Sequence, residues 1–220
     1  MRLLLLRHGQ TPSNVAGLLD TGAPGPGLTP LGEQQAAAVP AALRGRRIDA
    51  LAVSSLVRTS YTAGPLATDR DLRPTVLDGL REVEAGALEM SSDLADHHTY
   101  LETVFAWSRG DRARRMPGGP DGDAFLSRFD DAVGALAADG HDVVLAVSHG
   151  AAIRSWSGAR VRGLDVDELA YTPLANTGLI EVEGDPVSGW QLVDWRREPV
   201  GGAQLDAVVA NDPTGEPVDD

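Results

Sequence analysis

The chain has 220 residues and no cysteine. Disulfides, thiolate metal sites and cysteine nucleophiles are therefore excluded, and cysteine-dependent phosphatase chemistry with them. Cations are scarce too: 19 basic residues face 32 acidic ones, a formal net charge of −13 at pH 7. Nucleic acid is a poor partner for such a surface, because a phosphate backbone needs a basic face. Anionic ligands are repelled at long range, so any anion site must be a local cluster of arginines in a cleft. Long apolar runs are missing as well, and nothing approaches the length of a transmembrane helix. Leu3-Leu4-Leu5-Leu6 after Met1-Arg2 imitates the start of a signal peptide. The run is far too short for one, and no small-residue cleavage site follows. A soluble, cytoplasmic protein is expected, without a membrane partner. There is no internal repeat.

The pattern that is present alternates strands with helices. Residues 2–6 read as a buried strand. Thr29 as N-cap, Pro30 at the first helical position and acidic Glu33 start a helix that runs to about Leu43, with Gly45 ending it. A strand is predicted from Asp49 to Ser54, then a helix capped by Ser54-Ser55 and running to about Asp69. Pro74–Leu77 reads as a third strand. Residues 91–140 read as mostly helical, broken at Pro117-Gly118-Gly119-Pro120. Val143–Val147 is the most β-like run, followed by a helix from about Ala151 to Val161. Thr177–Val182 and Trp190–Trp195 read as late strands, the second at an edge. The fold class is α/β: a three-layer α/β/α sandwich with a mainly parallel central sheet. Residues 1–199 form a single domain, with a helical cap or insertion at about 87–121. The acidic tail, 200–220, is expected to be mobile.

In such sheets, ligands collect outside the carboxyl ends of strands. His8, in Arg7-His8-Gly9, sits where the first strand hands over to a loop. A lone histidine there is most simply a satisfied structural residue. His149 repeats the arrangement, following the run Asp142–Ser148 and preceding Gly150. If both strands are central and parallel, both histidines project at one sheet edge. Arg58 lies in the first turns of the helix after the second strand, and would be a second guanidinium beside Arg7. Arginine suits a phosphate because its planar fork pairs bidentately and keeps its charge. Glu82 follows the third candidate strand. A partly desolvated carboxyl there would have a raised pKa, suited to protonating a leaving oxygen.

These residues carry a resemblance. Leu6-Arg7-His8-Gly9-Gln10-Thr11, with Asn14 beyond, resembles the signature of the histidine phosphatase superfamily, the phosphoglycerate-mutase-like proteins. Leu28-Thr29-Pro30-Leu31-Gly32 is similar to that family's L-T-x-x-G helix start. Ser55-Leu56-Val57-Arg58-Thr59, with Thr62-Ala63, is similar to its second arginine motif. Leu80-Arg81-Glu82 with Gly86 is similar to its acid motif, and Val147-Ser148-His149-Gly150 to its second-histidine motif. Asn176-Thr177-Gly178 fits the segment before a late strand. The motifs stand in the family's order across residues 1–197.

The resemblance implies a phosphoglycerate-mutase-like fold and a phosphatase that hydrolyses a small phosphomonoester through a phosphohistidine. It makes His8 the nucleophile, with its other ring nitrogen donating to a backbone carbonyl. Arg7, Arg58 and His149 would hold the phosphoryl oxygens, and Glu82 would act as general acid, then base. Asn14 and Thr11 would bind substrate, with backbone N–H groups of Gly150 and Ala151 contributing from a helix N-terminus. No metal and no cofactor is implied. The implied partner is a small phosphorylated metabolite, with neither nucleic acid nor membrane, and a homodimer is compatible with it. A phosphoglycerate mutase and an inactive phospho-ligand binding module are the competing readings.

Two segments depart from the family pattern. Gly86-Ala87-Leu88-Glu89-Met90 stands where many members have Gly-x-Trp-Glu-Gly, and Pro117-Gly118-Gly119-Pro120-Asp121 where many have Pro-Gly-Gly-Glu-Ser. Both border the mouth of the site in the family. The basic run Arg109–Arg115 is either a solvated helix end or a lid for an anionic substrate. His97, His98 and His141 read as surface residues. Asp165-Val166-Asp167 follows no apolar strand and reads as no metal site.

Overall fold

A computed structural model describes residues 1–206 and 212–215. At its centre is a seven-stranded sheet in the order β3-β2-β4-β1-β6-β7-β5. The strands are β1 (Arg2–Arg7), β2 (Ala50–Val53), β3 (Thr75–Val76), β4 (Val143–Ser148), β5 (Val161–Arg162), β6 (Leu179–Asp185) and β7 (Gly189–Arg196). β3, β2, β4 and β1 are parallel, β6 is antiparallel to both its neighbours, and β5 pairs parallel with β7. The helices are α1 (Pro12–Ala16), α2 (Pro30–Ala42), α3 (Val57–Arg70), α4 (Leu94–Ser108), α5 (Gly122–Ala138), α6 (Gly150–Arg160) and α7 (Val166–Tyr171). Among the described residues, no helix is long and apolar enough to cross a membrane.

The leucine run explains why β1 lies in the middle. Successive side chains of a strand point to opposite faces. Leu3 and Leu5 join Ala52, Val144, Ala146, Ile180 and Val182 in one core. Leu4 and Leu6 join Leu51, Val53, Leu145, Val147 and Leu179 in the other. A strand buried on both sides shows no polar alternation, so it reads as one continuous apolar run. Helices α4, α5 and α6 cover the first face, while α2 and α3 cover the second. The expected three-layer sandwich follows. The first core holds a chain of rings, Trp107, Phe125, Phe129, Trp156 and Trp190, with successive centroids 5.6, 6.1, 5.4 and 6.0 Å apart.

Four expectations change. Ser54 and Ser55 do not cap α3: Leu56 is its N-cap, without a side-chain bond. The Ser54 hydroxyl is 2.8 Å from His149 Nε2, and that of Ser55 donates to Asp78. The late strand β7 is not an edge, because β5 pairs on its outer side. His97 is buried rather than on the surface, whereas His98 and His141 are exposed. The tail also differs from the expectation of a loose segment. Residues 212–215 are buried, while 207–211 and 216–220 lie outside the described residues.

The segment 86–90 holds a left-handed backbone at a residue other than glycine. Met90 stands in the place of the family's second glycine and holds φ 62°, in the left-handed region. An L-residue pays roughly 1–2 kcal/mol there, which glycine avoids. Met90→Gly is therefore expected to raise stability by up to about 1 kcal/mol, less the entropy glycine loses on folding. Phe129→Ala, in the middle of the ring chain, is expected to cost about 3–5 kcal/mol. Urea unfolding checks both: the midpoint moves and the slope stays constant. A Phe129→Ala loss below about 1 kcal/mol would contradict the packing described.

Candidate active site

Arg7 and Ser148 lie opposite one another where β1 and β4 pair in parallel. The next residues, His8 and His149, therefore leave the sheet at one edge. The His8 amide donates to the Ser148 carbonyl at 3.0 Å. The two rings meet edge to face with centroids 5.1 Å apart, and both are buried. Gly9 follows His8 because nothing larger fits: a Cβ there would lie 2.7 Å from the Gly32 carbonyl oxygen.

His8 Nδ1 is 2.8 Å from the Gly9 carbonyl oxygen. A carbonyl only accepts, so Nδ1 carries the proton and Nε2 keeps its lone pair. Burial holds the His8 pKa well below the ordinary 6.5, and the charges of Arg58 and Arg7 push it the same way. The ring is neutral, with its lone pair on Nε2.

Arg58 occupies the second position of α3 and is buried. Its Nε donates to His149 Nδ1 at 3.2 Å and its Nη2 to the Asp20 carbonyl at 3.0 Å. With Nδ1 accepting, His149 Nε2 donates to Ser54 Oγ at 2.8 Å. His149 thus spends both ring nitrogens inside the protein and orients Arg58. Burial, then the Arg58 charge, hold its pKa well below 6.5. Arg58 Nη1 and Arg7 Nε are buried with no hydrogen-bond partner among the described residues. Leaving a buried guanidinium N–H unpaired is costly, and an oxyanion would satisfy both.

Arg7 donates from Nη1 to the Leu174 carbonyl at 2.7 Å. Its Nη2 donates to the Asp212 carboxylate and, at 3.2 Å, to the Thr214 hydroxyl. Asn14 Nδ2 donates to the other Asp212 oxygen at 3.0 Å. The Asp212 oxygens stand in for two oxygens of an anion. Thr11 faces Asn14 rather than the cleft. It forms a capping box on α1, its N–H and hydroxyl reaching Asn14 Oδ1 at 2.9 and 3.0 Å. Those donors fix which end of the Asn14 amide is oxygen, and so turn Nδ2 toward the anion.

Glu82 lies at the N-terminus of α6. Its carboxylate accepts from the N–H groups of Ala152, Val83 and Ala151 at 2.7, 2.9 and 3.2 Å. This corrects the expectation for Gly150 and Ala151. The Ala151 amide serves the acid, not a bound phosphate, and Gly150 packs against Arg7 Nε and the Thr214 carbonyl. Burial raises the Glu82 pKa above the ordinary 4.5, opposed by these amides and by Arg58.

Several contributors were given no site role by the sequence, although Asn176 and Glu89 lie in family-like segments. Asn176 Nδ2 donates to the His8 carbonyl at 3.1 Å. Asp212, Thr214 and Arg154 reach the site from far along the chain, Arg154 by donating to the Thr214 carbonyl at 2.8 Å. Glu89 accepts from the N–H groups of Thr21 and Gly22 at 2.8 and 3.0 Å, holding the loop whose Asp20 carbonyl meets Arg58. The basic run does not form a lid: Arg109, Arg112, Arg114 and Arg115 pair with Asp167, Asp123, Glu102 and Asp121. Asp165 caps α7.

A neutral imidazole, two desolvated guanidiniums and a buried carboxyl thus share one sheet edge. Comparison with known proteins agrees with that grouping. The family model of the histidine phosphatase superfamily (branch 1) matches residues 3–198. The chain is 39% identical over 216 residues to the PE-PGRS family protein PE_PGRS11 of Mycobacterium tuberculosis, a match covering 91% of the chain but only 37% of that relative. It is 34% identical over 156 residues to the adenosylcobalamin/alpha-ribazole phosphatase of Escherichia coli, covering 68% of the chain and 73% of the relative. The native structure of mycobacterial glucosyl-3-phosphoglycerate phosphatase superposes with a TM-score of 0.72 at 28% identity, covering 90% and 99% of the two chains. The phosphoglycerate-mutase-like fold and the ordered motifs meet in one conclusion: this chain belongs to branch 1 of the histidine phosphatase superfamily.

Proposed function

We propose that the chain hydrolyses a small phosphomonoester through a phosphohistidine at His8. The observation that carries this is the His8 ring itself. It is neutral, tethered at Nδ1 by the Gly9 carbonyl and exposes its Nε2 lone pair beside two buried guanidiniums with unmet donors. In the first step Nε2 attacks phosphorus, the ester P–O bond breaks, and the leaving oxygen takes the proton of Glu82. In the second, water attacks phosphorus and gives a proton to the Glu82 carboxylate, the P–N bond breaks, and inorganic phosphate leaves. Arg7, Arg58 and Asn14 hold the non-bridging oxygens, supplying the charge stabilisation that metals supply elsewhere. His149 sets the Arg58 fork.

A small metabolite suits the site. The similar proteins are named as an adenosylcobalamin/alpha-ribazole phosphatase and a glucosyl-3-phosphoglycerate phosphatase. On this reading the substrate is met in the cytoplasm, and the formal net charge of −13 disfavours nucleic acid as a partner.

His8→Ala is expected to lower kcat/KM by at least about a thousandfold. A panel of phosphomonoesters read by released phosphate, with a coupled 3- to 2-phosphoglycerate assay beside it, checks this and separates hydrolase from mutase. Full activity in His8→Ala would refute the mechanism, as would the absence of an acid-labile, base-stable phosphoenzyme on rapid quench of an accumulating intermediate.

The pH profile follows from the two shifts. His8 works unprotonated, and its lowered pKa keeps that form until pH falls well below 6.5, so the acid limb lies there. Glu82 works protonated in the first step, and its raised pKa extends that form above 4.5, so activity falls as pH climbs through the raised value. Glu82→Gln is expected to remove the alkaline limb and cost roughly 10²–10⁴ in rate on an alkyl phosphate. The cost should be smaller on p-nitrophenyl phosphate, whose leaving group needs no proton. Equal losses on both esters would argue against an acid role.

A further inference from the structure

Arg7, Asn14, Gly150, Arg154 and Leu174 form a groove around the segment Asp212–Gly215. We propose that this groove is a peptide-docking site whose occupant is the chain's own Asp212–Gly215 segment, with the Asp212 carboxylate taking the place of the substrate phosphoryl group. The proposal rests on the reading of Arg7 and Asn14 as phosphate donors given above.

The contacts are specific to this segment. Asp212 and Thr214 are 5% and 6% exposed, although both belong to an acidic terminal stretch. The Asp212 carboxylate bridges Arg7 Nη2 and Asn14 Nδ2. The main chain is held on both sides: Arg154 Nη2 donates to the Thr214 carbonyl at 2.8 Å, and the Leu174 amide donates to the Gly215 carbonyl at 3.1 Å. Gly215 is required by contact, since a Cβ there would lie 1.8 Å from Arg7 Nη1. Arg7 outweighs the burial penalty on Asp212 and holds its carboxyl below the ordinary 3.8, so it docks as an anion.

Asp212-Pro213-Thr214-Gly215 is also a turn by its own chemistry. The Gly215 amide donates to the Asp212 carbonyl at 3.1 Å, and the Thr214 amide to Asp212 Oδ1 at 3.3 Å. Proline second, glycine fourth and a leading aspartate are the residues such a turn favours. Little order has to be imposed when the segment docks. The segment belongs to the same chain as its groove, so docking is intramolecular, with an effective concentration on the order of millimolar for a short connection.

Docking and substrate binding exclude one another. A phosphoryl group needs the Arg7 and Asn14 donors that the carboxylate holds, and two anions cannot share them. The docked tail is therefore an internal competitor. If it is docked nine-tenths of the time, apparent phosphate affinity falls about tenfold.

Two full-length variants test this by different means. Asp212→Ala removes the carboxylate. Gly215→Val keeps the charge and blocks seating by collision with Arg7. Titration calorimetry with inorganic phosphate is expected to show about tenfold tighter binding in both, with kcat/KM for p-nitrophenyl phosphate rising in parallel. Unchanged or weaker phosphate affinity in both would overturn the proposal, the weaker result marking the segment as part of the substrate site. Tightening in Asp212→Ala alone would also overturn it, because lost charge repulsion would then suffice. Tighter phosphate binding in both variants without hydrolysis of any ester would leave the docking groove standing and remove the hydrolase reading instead.

Discussion

Two guanidinium groups buried side by side at one end of a sheet are the constraint on which the site depends. Arg7 and Arg58 are 1% and 3% exposed, and a guanidinium does not escape burial by shedding its proton. All 19 basic residues of the chain are arginine, so no lysine offers that escape anywhere. Buried charge of this kind must be met by anions and hydrogen-bond acceptors. Backbone carbonyls of Asp20 and Leu174 and the ring of His149 take some of the donors. Arg58 Nη1, close to Gly25, and Arg7 Nε, close to Gly150, keep no partner among the described residues. Burial first, and then the same field, keep both histidines neutral, because a third positive charge beside the pair is strongly disfavoured. On the proposed mechanism, nucleophile and anion site are therefore one electrostatic object.

The sheet supplies the geometry and the helix ends divide the anions. Parallel pairing of β1 with β4, and of β4 with β2, brings residues 8, 149 and 54 to one edge, and α3 adds Arg58 one turn later. The N-terminus of α6 opens on the same edge and could receive phosphate or a carboxylate. It holds Glu82. Side-chain cations are thus left for phosphate while backbone amides position the acid. The amides favour the ionised carboxylate and burial favours the protonated form, with burial prevailing. A group balanced this way gives up and retakes a proton within one cycle more readily than one committed to either state.

What was legible in the sequence is what is local. The leucine run, the two strand-His-Gly junctions, Arg58 at the start of a helix and Glu82 after a short strand each follow from a few neighbouring residues, and their meeting follows from a parallel sheet. Thr11 was misread because its hydroxyl serves the adjacent Asn14, a choice between local and ligand bonds that residue type does not reveal. Gly150 and Ala151 were misread because a helix N-terminus accepts any anion, and the one it holds comes from 69–70 residues away. The Asp212 contact spans 205 residues. Its composition, rich in glycine, proline and aspartate, serves disorder and tight turns alike. The order Asp-Pro-Thr-Gly was the available sign of a turn.

The departures at residues 86–90 and 117–121 preserve the site and alter its rim. Ala87 donates to the Pro117 carbonyl at 2.7 Å, so the two segments form one unit. Glu89, the residue kept from the family pattern, is the one whose carboxylate fixes the Thr21 loop and, through Asp20, the Arg58 fork. The replaced positions carry no such duty. Leu88 turns inward at 9% exposure, while Met90 holds a left-handed backbone and leaves its side chain 52% exposed. Strain of this size survives when the surrounding contacts over-determine the backbone. The Met90 amide donates to the Leu19 carbonyl at 3.0 Å, and the Leu19 amide to the Ser91 carbonyl at 3.0 Å, which supplies that determination. Substitution at this rim can therefore change what the surface offers a substrate while the atoms around His8 stay in place.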